Sequence, residues 1–389
     1  MTGPSGPAIP HARATTTSPD HADARPEGFR ADLGTGDGAG GVVAATVERL
    51  WPALIAGDEY AATDVVLDAL AAGMPAETVL LDVIGAAQAR VGVEWAANRV
   101  TVAQEHAVTA INDRVVGVLS ASLPRLRPHR ARVAVACVDG EWHALPARLL
   151  AEVLRLRGFA VDYLGAQVPT PHLVAHLHRT GPDVVALSAS LATRLPRTHA
   201  AITACQAAGV PVLAGGAAFG ADGRHARRLG ADAWAPHARA AADLLVADPP
   251  GHPRSASTTA DHLPHLGDQE YTLVARGTVQ LVKNVYTGLE QRFDAMRAYS
   301  DLQREHTADD LTHITEFLAA ALYTDDAAVF TDFTAWTAHI LTTRGVPGHL
   351  LPAALRLLAD ELRDFPRATA MLTVARRRLA TPDAGASAS

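Results

Sequence analysis

The sequence predicts a mixed architecture of three parts: a four-helix bundle, then an open parallel α/β sheet, then an all-helical domain. Three observations predict it. Apolar residues recur at helical spacing through residues 41–123. Short apolar runs then alternate with helical segments through residues 130–247. From residue 266 to 380 the helical period returns and no strand run appears.

The first part opens near Gly41, where Val43, Val47, Leu50 and Leu54 make one helical face that Gly57-Asp58 ends. A second helix spans Glu59 to Ala72. Gly73-Met74-Pro75 forms a turn with Pro at the next helix start. The third helix runs from Ala76 to about Asn98 and carries Val79, Leu80, Val83, Ile84 and Val91. Thr101 caps a fourth, with Glu105 near its start, and this helix continues to about Ser122. Short turns between four helices read as a bundle. Pro124 and Pro128 mark a linker.

The second part begins with the strand Arg132–Val138 (RVAVACV). A helix to Arg157 ends at Gly158, and a second strand covers Val161–Leu164. A helix over Pro171–Arg179 leads to the strand Asp183–Ser188. Helix 194–208 precedes the strand Val210–Ala214 and Gly215-Gly216. Helix 221–229, strand Ala231–Ala235 and helix 238–247 close the series. This alternation implies parallel pairing. Residues 248–265 are rich in Pro, Ser and Thr and read as a linker. Helices are expected over about 268–304, 308–322, 325–343, 350–363 and 366–379. Residues 1–40 and 381–389 have few large apolar side chains and read as disordered tails.

Bulk properties narrow the function. The formal net charge of −7 over 389 residues is no match for nucleic acid, and direct nucleic-acid binding is not expected. No apolar run reaches membrane-spanning length. The two cysteines, Cys137 and Cys205, build no disulfide framework, which points to a reduced cytoplasm. No kinase or cyclase motif is visible, and the chain is not expected to be an enzyme.

The loop Asp139-Gly140-Glu141-Trp142-His143 follows the first strand. Ligands of open α/β sheets bind at the carboxyl ends of strands, so this loop lies in the functional zone. A histidine there meets a ligand through one ring nitrogen, and Glu141 is placed to accept a hydrogen bond from the other. That arrangement orients a metal-bound imidazole and raises its basicity.

Spacing extends the pattern. Glu141-x-His143-x-x-Pro146 is followed by Ser188-Ala189-Ser190 and then by Gly215-Gly216. These pieces fall at the ends of the first, third and fourth strands. Residues 130–247 resemble the cobalamin-binding domain of B12-dependent methyltransferases, mutases and light sensors. That family carries Asp or Glu-x-His-x-x-Gly, then Ser-x-Leu or a variant, then Gly-Gly. Pro146 and Ser190 depart from it. The resemblance implies a Rossmann-like domain in which His143 is the lower axial ligand of cobalt. It also implies that the displaced nucleotide base passes Ser188, Ser190, Gly215 and Gly216, with Trp142 beside the ligand.

The bundle carries Trp95, nine intervening residues, then Glu105-His106. The photoreceptor branch of the family has this spacing in its helical cap. The resemblance implies that Trp95 covers the upper axial ligand, and that Glu105 and His106 hydrogen-bond an adenosyl group. It implies an adenosylcobalamin-dependent light sensor. A corrinoid carrier for methyl transfer and a non-photic cobalamin sensor stay open beside it. Where some relatives have a histidine after the tryptophan, this chain has Ala96.

In the third part, Leu273, Val274, Leu281, Val282, Val285 and Leu289 make an amphipathic stripe fit for a partner helix or a homodimer seam. Tyr323, Phe330, Phe333, Trp336 and Phe365 concentrate the aromatics. The domain order is similar to that of the photocobilins, which implies a globin-like C-terminal domain holding biliverdin or a related bilin. Both cysteines lie outside it, so such a bilin would not be thioether-linked. Haem, with His339 or His349 as ligand, is the rival. An unknown signalling protein would receive the output.

Overall fold

The computed structural model describes residues 37–253 and 263–381. Most of the expected tails, and residues 254–262 of the expected linker, lie outside these. The first helix starts at Asp37, inside the span read as a tail. The linker ends earlier than expected. Leu263 is buried against the α/β core, and Pro264–Asp268 forms a 3-10 turn.

Four helical stretches lead the chain. Asp37–Ala56 is followed by Glu59–Ala71, whose N-cap Asp58 accepts a hydrogen bond from the Ala61 amide. The third runs through Ala76–Thr78, the π-helical Val79–Ile84 and Gly85–Ala96. The wider π turn lets Val79, Leu80, Val83 and Ile84 all face inward. Val102–Ser122 opens with a reciprocal capping box between Thr101 and Gln104.

The sheet has five parallel strands: β1 (Arg132–Val138), β2 (Ala160–Val168), β3 (Val184–Ser188), β4 (Val212–Gly215) and β5 (Ala233–Ala235). Their order is β2-β1-β3-β4-β5. The strand β2 is longer than the expected Val161–Leu164 because it bulges past Tyr163 and Gly165 to reach Val138. Residues of β1 and β3 alternate between two buried faces, as a sheet covered on both sides requires. Val133, Val135 and Cys137 face the helices Leu145–Leu156 and Ala238–Ala247 and, beyond them, the N-terminal helices. Ala134, Ala136 and Val138 face Thr170–Thr180, Leu195–Ala207 and Arg224–Arg228. The chain reverses direction across the sheet between β1 and β3, which opens a crevice at their carboxyl ends.

Glu77 docks the N-terminal helices on the sheet layer through Arg157 (2.8 Å) and Arg239 (3.3 Å), and Asp82 also pairs with Arg239 (2.7 Å).

The C-terminal helices are Glu270–Arg292, Asp301–Thr324, Ala327–Thr343, Leu350–Glu361 and Pro366–Ala380. The helix expected over 268–304 stops at Arg292. Ser300 then starts a new one with a Ser300/Gln303 capping box, a signal that the apolar stripe conceals. The stripe itself is largely spent within the chain. Val274, Val285 and Leu289 are buried in the C-terminal core, Leu281 and Val282 pack against it, and Leu273 is exposed. Of the two expected uses, the stripe serves as a face for partner helices of the same chain. Among the described residues, no helix is long and apolar enough to cross a membrane.

Candidate functional site

The loop after β1 is built around one buried carboxylate. Asp139-Gly140 turns the chain, with Gly140 at φ +78°, and Glu141 drops into the crevice with no exposed surface. Its Oε1 accepts the His143 amide (2.9 Å) and His143 Nδ1 (2.5 Å). Its Oε2 accepts the amides of Ser190 (2.6 Å) and Leu191 (3.2 Å), beyond β3. The Glu141 carbonyl accepts the Gln167 amide (3.0 Å) at the end of β2. One residue thus ties together the ends of three strands.

Burial pushes the Glu141 carboxyl up. Hydrogen bonding and charge from His143, with the Ser190 amide, outweigh this and hold it below the usual carboxylate range. An ionised carboxylate only accepts, so Nδ1 carries the proton in the pair. In the neutral ring Nε2 then holds the lone pair that a metal takes. The His143 side chain is one-fifth exposed, beside an exposed Trp142. Burial, reinforced by Glu141, pushes the neighbouring Cys137 thiol up to about 12, so it is no thiolate ligand at neutral pH.

Ser188 and Ser190 are buried, and Ser188 pairs in register with Gly215. Gly216 sits at φ +106°, and a Cβ there would lie 2.3 Å from the Ala189 carbonyl oxygen. What comes close to Gly216 is therefore the loop after β3. A Cβ on Gly215 would make only ordinary contact with Ala235. Pro146 stands in the first turn of the helix Leu145–Leu156, where its missing N–H costs nothing.

The cap residues each have partners within the chain. Glu105 and His106 pair in the first turn of Val102–Ser122, with His106 Nδ1 2.9 Å from Glu105 Oε2. Trp95 is buried among C-terminal residues. Its ring stacks on Trp336 at 6.1 Å and 29°, and the Arg344 guanidinium lies 4.4 Å from its centroid. Trp336 and Phe333 continue to Phe317, which stacks on Phe333 at 3.7 Å. These three close a cavity of about 120 Å³ whose other wall includes Ser190, Ala217 and His225. Buried His225 joins the walls, with Nδ1 3.0 Å from the Ala218 carbonyl and Nε2 3.0 Å from Asp326.

Trp336 and Phe333 were visible in the sequence only as part of an aromatic concentration. Nothing there pairs them with Trp95, and Arg344 carried no signal. His339 and His349 are both exposed, and neither lines the cavity.

The donor set has a clear consequence for metal. Among the described residues, no group of three or more His, Cys, Asp or Glu side chains is placed to hold a metal ion. His143 Nε2, oriented by Glu141 through Nδ1, would supply one ligand to a metal that carries its others in a macrocycle. The residues present fit a corrinoid in that respect.

A family model described as a B12 binding domain matches residues 131–245, the whole sheet. A second B12 binding domain model matches residues 46–120, the helices ahead of it. The chain thus carries B12-binding domains, and cobalamin is the ligand they define. In particular, the chain is 34% identical over 177 residues to the HTH-type transcriptional repressor CarH of Myxococcus xanthus, covering 44% of this chain and 57% of that one. It is 36% identical over 124 residues to the HTH-type transcriptional repressor CarA of the same organism, covering 30% and 41%. The chain spans about half the length of the curated relatives it matches. Among solved structures, the Methanosarcina barkeri monomethylamine corrinoid protein aligns over 52% of this chain and 97% of its own, at 22% identity and a TM-score of 0.46. A cobalamin-binding protein from Desulfitobacterium hafniense aligns over 52% and 96%, at 22% identity and a TM-score of 0.30.

Proposed function

We propose that this chain is an adenosylcobalamin-dependent light sensor in which His143 is the lower ligand of cobalt. The observation that carries the ligand assignment is the Glu141 carboxylate. It is fully buried, it is held by the loops after β1 and β3, and it fixes His143 Nδ1 at 2.5 Å. Bound adenosylcobalamin supplies a cobalt–carbon bond that visible light breaks. The chain's own part is to hold the lower face through His143, pass the nucleotide tail beside Ser188, Ser190, Gly215 and Gly216, and read the upper face through Trp95, Glu105 and His106. The contact of Trp95 with Trp336 supports a sensor over a methyl carrier. A carrier leaves its upper face open to a methyltransferase, whereas this ring is already engaged by the C-terminal helices.

The same reading gives those helices, taken as globin-like, a bilin such as biliverdin. The packed aromatic residues Phe317, Phe333 and Trp336 of those helices support it.

The test is the absorption spectrum of protein loaded with adenosylcobalamin, before and after green light. A lasting change is expected in the wild type. In His143→Ala, the nitrogen-ligation signature of the cobalt(II) state should disappear from the paramagnetic resonance spectrum. No photochange, together with methyl exchange at the upper face, would establish the carrier instead. A red-absorbing pigment after co-expression with a biliverdin source, free of protein on a denaturing gel, tests the bilin.

A further inference from the structure

We propose that Arg344 is a positioning residue for Trp95, and that through this ring the C-terminal helices set which upper ligand the corrinoid site prefers. The inference rests on the reading of Trp95 as the lid over the upper face.

Contacts from the second half of the helix Ala327–Thr343 and from Arg344 just past it converge on the last turn of Gly85–Ala96. Trp336 stacks on the Trp95 ring, and Thr343 Oγ1 donates to the Ala96 carbonyl at 3.1 Å. Arg344, the residue just past that helix, places its guanidinium 4.4 Å from the Trp95 centroid. Val100 joins Trp95 in the same buried cluster with Trp336 and Phe333.

Arg344 has few polar partners of its own. It is half-buried, it forms no ion pair among the described residues, and its buried Nε has no hydrogen-bond partner among them. Burial pulls its pKa down, and the Asp310 carboxylate pulls it back up. A guanidinium so placed carries a desolvation cost that an ordinary fold avoids. Alongside the Asp310 carboxylate, the electron-rich face of the Trp95 indole offsets it by direct contact. The charge is kept where it fixes Trp95, and the ring's tilt follows from Arg344 and Trp336 together.

The experiment uses the full chain. Dissociation constants for adenosylcobalamin and methylcobalamin are measured in the dark for wild type, Arg344→Gln and Arg344→Lys. Near-ultraviolet circular dichroism of each unloaded protein, with Trp95→Phe as reference, reports the Trp95–Trp336 couplet. Arg344→Gln is expected to lower the adenosyl preference by roughly three- to tenfold, the factor of one partly desolvated cation–π contact, and to weaken the couplet. Arg344→Lys, which keeps the charge, is expected to recover most of both. An unchanged or raised preference in Arg344→Gln overturns the proposal, and so does an unchanged couplet. A wild type that binds both cobalamins equally removes the lid reading, and the couplet alone then decides whether Arg344 positions the ring.

Discussion

The Glu141 carboxylate and the His143 imidazole meet at 2.5 Å, and the same carboxylate holds the Ser190 amide at 2.6 Å. His143 is therefore oriented by a residue anchored on both sides of the crevice between β1 and β3. Glu141→Gln should disturb this twice. The amide lacks the charge that fixes the Nδ1 proton, and its NH2 group faces N–H donors. Cobalamin affinity is expected to fall about 10- to 100-fold, the range for groups that orient a metal-bound imidazole. Titration with hydroxocobalamin checks it, and an unchanged affinity would remove Glu141 from the site.

Gly216 and Gly57 separate strain from collision. Both have positive φ, +106° and +75°, but a Cβ on Gly57 meets nothing within 4 Å. Gly57→Ala should cost only the left-handed penalty, about 1–2 kcal/mol. Gly216→Ala adds a 2.3 Å approach to Ala189 and should cost on the order of 2–4 kcal/mol, with the loops after β3 and β4 forced apart. Denaturant unfolding of the two variants measures the difference, and equal losses would mean that the loops give way freely.

Asp310 predicts a pH dependence. Burial pushes its carboxyl from 3.8 up to about 6, with His313, His306 and Arg344 pulling it back and Asp309 adding to the rise. The folded chain therefore holds this proton more tightly than the unfolded chain. The native state loses stability from this group as pH rises from 3.8 through about 6, and the penalty is constant above that. Asp310→Asn should raise stability by on the order of 1–3 kcal/mol at neutral pH and change little below pH 3.8. Melting temperatures across this range test the sign, and a gain confined to acid would reverse it.

Removing the C-terminal helices should uncover the cap. A fragment ending near residue 250 keeps all five strands and the Glu141–His143 pair. It loses Trp336 and Arg344 from the Trp95 ring and Asp326 from His225. Cobalamin binding is expected to persist, with a lower melting temperature and a Trp95 fluorescence open to acrylamide quenching. Quenching equal to that of the full chain would mean that the cap buries Trp95 by itself.

The sequence by itself determined the strand alternation, the loop that carries Glu141 and His143, and the spacing that brings Ser188, Ser190, Gly215 and Gly216 to neighbouring strand ends. These are local properties: short apolar runs, a break after each, and the geometry of consecutive parallel strands. The end of the helix at Arg292 was legible in principle, since Ser300 and Gln303 form a capping box, but the apolar stripe runs past it. Tertiary structure alone decided how Trp95 is used. Its burial depends on Trp336 and Arg344, which lie far along the chain, and no periodicity encodes which of several aromatic residues will meet. It likewise decided that Glu141 binds Ser190 as well as His143, and that Gly216 yields to Ala189. Such contacts follow from how close two separate loops come, and that distance is set by the packing of the whole sheet rather than by either loop's residues.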